Sequence, residues 1–179
     1  SNDMCLLKEL PLLLRCEIDS FKIEGRMKSI FYVATIVRAY RKVLDSLEKN
    51  EVVDWEYWYQ ELDKISHRAY STGFFLNNQK DISQIHKESA GYFQSYEFIG
   101  VVHGYNKETQ IATVEQRNKF SVGDTVEFFG INYQEYQLTI TEMYDINGKE
   151  IESANHAQET MLLKVPFEVF AMDLIRKRN

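Results

Sequence analysis

The chain has 179 residues, 44% of them hydrophobic and 27% charged, with a formal net charge of −6. Those proportions exclude a disordered or fibrous chain, and the acidic balance excludes a broad electrostatic sink for nucleic acid. Two cysteines are too few for a disulfide-stapled secreted domain, and the longest apolar run, Leu10-Pro11-Leu12-Leu13-Leu14, is far shorter than a bilayer span, so the expectation is a cytoplasmic protein without membrane contact.

From Met4 to Arg15 the apolar residues are dense enough for a short helix with Asp3 as its N-cap, and Pro11 predicts a break or a late start. Ile18–Gly25 then alternates. Phe21 and Ile23 point to one side and Lys22 and Glu24 to the other, which predicts a strand. Lys28–Glu48 carries Ile30, Val33, Val37, Leu44 and Leu47 at helical spacing, with Arg38, Arg41, Lys42, Asp45 and Glu48 as a solvated face. Trp55, Trp58, Leu62 and Ile65 place a second amphipathic helix over roughly Asp54 to Ser66. Periodicity is lost over 71–91, where Ser71-Thr72-Gly73, Asn77-Asn78-Gln79-Lys80 and Ala90-Gly91 read as a linker.

After Tyr92 the pattern changes to short strands: Tyr96–Tyr105, Gln110–Gln116, Thr125–Ile131, Tyr136–Tyr144, Met161–Val165 and a closing Asp173–Arg178. Polar turns separate them, which predicts a small antiparallel β-barrel. Residues 93–179 hold 13 acidic against 8 basic side chains, and Arg176-Lys177-Arg178 reads as a solvated tail.

One parallel strand between two helices cannot satisfy its own backbone or cover both its faces. Residues 1–48 therefore read as the end of a larger (β/α) barrel catalytic domain, 49–92 as an aromatic helix and linker, and 93–179 as the β-barrel, an α+β class overall. Barrel enzymes keep their chemistry at the carboxyl ends of the strands, which singles out Lys22, Glu24 and Arg26 as catalytic candidates. They could bind an anionic substrate, orient it or exchange a proton with it; equally, Lys22 and Glu24 could be an ion pair that stitches the barrel mouth. The apolar faces of the two outer helices, left uncovered, predict self-association.

Four stretches, in order, resemble the U32 peptidase family, the collagenase-like proteases. They are Asp19-Ser20-Phe21-Lys22-Ile23-Glu24-Gly25-Arg26-Met27-Lys28-Ser29, continued by Tyr32-Val33-Ala34-Thr35; Ser66-His67-Arg68-Ala69-Tyr70-Ser71-Thr72-Gly73-Phe74-Phe75; Tyr96-Glu97-Phe98-Ile99-Gly100-Val101-Val102; and the run from Ala112 to Asp124. The resemblance implies the end of a (β/α)-type catalytic domain followed by a barrel similar to those of translation factors. It also implies either peptidase activity or RNA hydroxylation, since members include tRNA and ribosomal RNA hydroxylation proteins. In the tRNA branch a wobble uridine is the target and prephenate is implicated. Some members hold a [4Fe-4S] cluster on four cysteines, and Cys5 resembles the last of these; on the sequence alone a lone cysteine equally reads as a small buried hydrophobe. No cofactor is expected in this chain alone, because Cys16 matches no ligand position.

His67, Arg68 and Tyr70 could reach the barrel mouth or contact a phosphate; alternatively they anchor the linker, with Tyr70, Phe74 and Phe75 packed as core. Arg117 and Lys119, in a turn between strands, are candidates for RNA contact. Three functions follow: part of an RNA-modifying enzyme with the barrel recruiting or capping substrate, a collagenase-like peptidase acting on protein, or a non-catalytic binding module. No HExxH zinc motif and no Cys–His spacing for nucleophilic catalysis is present. The isolated chain is expected to be catalytically inert.

Overall fold

The computed structural model describes residues 2–76, 91–132 and 134–179; the expected linker signals at 77–80 and at Ala90, with His86, lie outside them. The chain divides into two units, Ser1–Ser95 and Tyr96–Asn179. In the first, β1 (Asp3–Met4) runs parallel to β2 (Tyr70–Ser71), pairing Asp3 with Tyr70 and Met4 with Ser71. The helix α1 (Leu10–Leu14) begins late, with Pro11 in its first turn, where the missing N–H costs nothing.

The strongest periodic segment becomes α2 (Ile30–Glu48), capped by Ser29, whose hydroxyl accepts from the Tyr32 amide at 3.2 Å. Next comes α3 (Trp55–Asp63), capped in the same way by Asp54, which accepts from the Tyr57 amide at 3.0 Å. Phe31, Ile36, Ala39 and Val43 of α2 and Trp58 and Leu62 of α3 are buried.

Three expectations for this unit are corrected. Residues 18–25 form no strand: no described strand lies beside them, and an alternating segment without a neighbour has nothing to receive its backbone hydrogen bonds. Asp3 is not a helix cap, because its carboxylate is taken by Arg68 and its backbone by β2. Arg38 is not on a solvated face; it is 7% exposed and ion-paired to the buried Glu61 at 3.2 Å. Ile30, Val33 and Val37 leave a second, apolar face of α2 open to solvent.

The second unit is a seven-stranded antiparallel sheet in the order β7-β6-β11-β3-β4-β10-β8. Its strands are β3 (Tyr96–Asn106), β4 (Ile111–Gln116), β6 (Thr125–Phe129), β7 (Glu135–Thr139), β8 (Met143–Asp145), β10 (Thr160–Lys164) and β11 (Leu174–Arg178). The short strands β5 (Phe120–Ser121) and β9 (Ser153–Ala154) pair separately. The sheet curls around a core that includes Ile99, Val102, Val114, Phe128, Met143, Met161, Leu163 and Ile175. Alternation makes that core: β4 and β10 bury every second residue.

Here too the expectations are revised in detail. The single strand expected over Tyr136–Tyr144 is broken at 140–142, and its halves β7 and β8 form the two edges of the sheet, so this is a curled half-barrel. The last expected strand forms as β11 and lies inside the sheet, paired with β6 on one side and with β3, the first strand of the unit, on the other. Arg176 is consequently fully buried, and the basic run is no solvated tail. Gly123 adopts φ +93°, the left-handed region its turn requires, and Gly130 lies so close to the Asp173 carboxylate that no Cβ fits.

Candidate functional site

A cavity of about 420 Å³ opens in the first unit, a size that suits a small organic molecule. Four pieces of chain meet there. β1 brings Asp3 and leads into Cys5; the extended 21–24 segment brings Phe21, Lys22, Ile23 and Glu24. Tyr32, Ile36 and Tyr40, at spacings of four along α2, present one helical face, and β2 brings Tyr70 with Arg68 just before it. Leu10 and Leu13 of α1 complete an apolar floor.

Asp3 is the electrostatic centre of this wall. Its Oδ1 accepts from Arg68 Nε at 2.9 Å and from an Arg68 terminal nitrogen at 2.6 Å, its Oδ2 accepts from the Arg68 amide at 3.1 Å, and Lys28 Nζ lies 3.8 Å away. Burial pushes the Asp3 carboxyl up, but the Arg68 hydrogen bonds and the Lys28 charge outweigh it and hold the group below its ordinary value near 3.8. A carboxyl depressed in the fold stabilises it at pH above its unfolded value, and this contribution disappears as pH falls through the folded value. Stability measured between pH 5 and pH 2 is therefore expected to fall more gently for Asp3→Asn than for the unsubstituted chain, and curves of identical slope would contradict this.

Cys5 is buried, and its sulfur lies 3.8 Å from the Tyr40 hydroxyl, which also accepts from the Leu6 amide at 3.0 Å. Burial first, and then charge on the Cys5 sulfur, pushes the Tyr40, Tyr59 and Tyr70 hydroxyls well above the usual phenol range. All three stay protonated at neutral pH and can act as donors; Tyr70 donates to the Leu62 carbonyl at 2.9 Å. A [4Fe-4S] cluster takes four thiolates. The chain has two cysteines, one buried and one exposed, so its own residues do not fit such a cluster.

Of the residues singled out above, Cys5, Lys22, Glu24, Arg68 and Tyr70 line this one cavity. Arg26 does not; its backbone amide donates to Glu24 Oε1 at 3.0 Å while its side chain points to solvent. His67 is buried beside the cavity, stacked on Tyr70 with ring centroids 4.1 Å apart, its Nδ1 2.7 Å from the Arg68 carbonyl. Phe74 stays exposed.

Arg117 and Lys119 belong to the second unit. There a bulge in β3 opposite β4 places His103 so that its Nε2 is 2.9 Å from Glu115, and the other oxygen of Glu115 receives Arg117 at 2.8 Å. Lys119 is exposed. Asp3, Lys28, Tyr32 and Tyr40 were not singled out as site residues from sequence; Lys28 closes the run that carries Lys22 and Glu24, a signal that could have included it.

No described helix is long and apolar enough to cross a membrane. Comparison with known proteins gives two consecutive family matches: Peptidase family U32 over residues 1–85 and Peptidase family U32 C-terminal domain over residues 94–176. The tRNA hydroxylation protein P1 of Bacillus subtilis is 39% identical across 98% of the chain. An uncharacterized protease of Methanocaldococcus jannaschii is 31% identical across 88%, and the tRNA hydroxylation protein P of Escherichia coli is 29% identical across 100%. The chain spans 42%, 39% and 39% of the lengths of those three proteins. On two matches that leave only residues 86–93 and the last three uncovered, the chain belongs to peptidase family U32.

Proposed function

We propose that the chain is part of an RNA-hydroxylating enzyme that acts on a tRNA uridine and uses prephenate. The observation that carries this reading is the 39% identity to a tRNA hydroxylation protein across nearly the whole chain. The cavity chemistry agrees with it. Lys22, Lys28 and Arg68 are set against Asp3 and Glu24 over an apolar floor, an arrangement suited to an anion with a hydrocarbon body such as prephenate. Lys22 and Glu24 would bind the anion and exchange a proton with the reacting groups, and His67 would hold Tyr70 in place by stacking.

In the full-length protein Cys5 would be one of four thiolates, the others lying outside these 179 residues. The open face at Ile30, Val33 and Val37 would be covered by the rest of a (β/α) barrel. Arg117 and Lys119 would contact RNA from the second unit.

The second reading is a collagenase-like peptidase, favoured by the name of the family and of the M. jannaschii relative. One experiment separates them. Full-length protein is incubated with gelatin and the peptides are analysed, while tRNA nucleosides are compared between a strain deleted for its gene and the same strain carrying the gene. Hydroxylated uridine without gelatin cleavage is expected; gelatin cleavage without nucleoside change would overturn the proposal.

A further inference from the structure

The Asp3 carboxylate receives three N–H groups of Arg68 and faces Lys28, yet it lies on a cavity wall and not in the hydrophobic core. Tying β1 to β2 does not require this. The parallel pairing is already made by backbone bonds, Asp3 N to the Ala69 carbonyl at 3.0 Å and Cys5 N to the Ser71 carbonyl at 2.9 Å. The carboxylate also controls where two cations sit. Arg68 offers a planar fork that a carboxylate can hold in one orientation. Lys28 is a flexible point charge, and here it is confined between Asp3 and the face of Tyr32, 4.7 Å from the ring centroid.

We infer that Asp3 is a positioning residue: it holds Lys28 and Arg68 as an anion subsite on the cavity wall, and the anion is the carboxylate of a small molecule whose apolar body lies on Leu10, Leu13 and Ile36. The charge balance fits this class of ligand. Three cations and two carboxylates line the cavity, an excess of positive charge that favours an anionic ligand. The floor is apolar, and the Tyr32 hydroxyl on the same helical face is a donor for a further oxygen. An inorganic anion would satisfy the cations but leave the floor wet; an apolar molecule without charge would leave the cations unused. The inference rests on the proposed function for its ligand and extends it to the residues that hold the ligand.

The test is calorimetric titration of the full-length protein, with prephenate as the carboxylate probe and inorganic phosphate as the control, beside thermal denaturation and tRNA nucleoside analysis. Lys28→Met makes the cleanest variant. Lys28 contributes no backbone bond to β1 or β2, and a partly exposed ion pair at 3.8 Å adds little to stability. It is expected to weaken prephenate about tenfold or more at unchanged Tm. Asp3→Asn is expected to weaken it comparably, and Asp3→Glu to recover part of the loss, which a purely structural tie would not produce.

Unchanged prephenate affinity in both Lys28→Met and Asp3→Asn would overturn the inference. So would phosphate binding as tight as prephenate, which would make the apolar floor irrelevant. Weakened prephenate binding in the variants with no hydroxylated nucleoside from the unsubstituted protein would leave the subsite standing and sink the RNA reading. Hydroxylation without any prephenate binding would do the reverse.

Discussion

Arg176→Ala is expected to destabilise the second unit by about 3–5 kcal/mol, the cost of stranding buried charges whose partner is gone. Arg176 is fully buried in β11, the strand between β6 and β3. Its guanidinium bonds Glu127 at 2.9 Å and Glu135 at 3.0 Å, and lies 4.4 Å from the ring centroid of Phe129. Tyr96 donates to Glu127 at 2.8 Å, and burial first, then Glu127, pushes its hydroxyl up to about 12.

Truncation at Arg176 would leave two carboxylates only 16% and 20% exposed without their cation, on the neighbouring strands β6 and β7. Replacing Arg176, Glu127 and Glu135 together by apolar residues of similar volume is expected to recover most of the loss, because no stranded charge then remains. Amide hydrogen exchange of β3, β6 and β11 measures both variants. Full protection in Arg176→Ala would show that the charge cluster is not holding the sheet.

Glu61→Ala is the counterpart in the first unit, with an expected cost of the same size. Glu61 is 1% exposed on α3, takes Arg38 of α2 at 3.2 Å and Lys64 at 2.5 Å, and so ties the two helices through a buried carboxylate. Arg38 also lies over the Trp58 ring at 5.3 Å. Glu61→Gln keeps the shape and an acceptor and is expected to lose about half as much. Both tryptophans of the chain, Trp55 and Trp58, sit on α3, so tryptophan fluorescence during urea unfolding reads this helix directly. A midpoint unmoved in Glu61→Ala would refute the claim.

These two clusters also mark where sequence reading stopped. The strands β4 and β10 were legible as short runs of apolar and β-branched residues bounded by polar turns, a signal that needs only local information. The helix α2 was legible from its spacing and from Ser29 at its start. Arg176 was not, because its partners lie 41 and 49 residues away and a basic run near a chain end has no local mark of burial. Arg38 was misread for the same reason, its partner being 23 residues distant.

The segment 18–25 failed in the opposite direction: its alternation is genuine, but a strand also needs a neighbour, and none is described beside it. At the cavity, Lys22, Glu24, Cys5, Arg68 and Tyr70 could be named from short runs of residues. Asp3 could not, since an acid before an apolar run looks like a helix cap until its side chain is seen on Arg68.

The central claim is that this chain serves RNA hydroxylation through the cavity of its first unit. It is tested most directly by nucleoside mass spectrometry of tRNA from a strain deleted for the full-length gene and carrying either an unsubstituted or a Lys22→Ala copy. The account predicts that hydroxylated uridine is lost on deletion, restored by the unsubstituted copy, and reduced at least tenfold with Lys22→Ala, whose cationic side chain lines the cavity. An unchanged nucleoside profile in the deletion strain would contradict it.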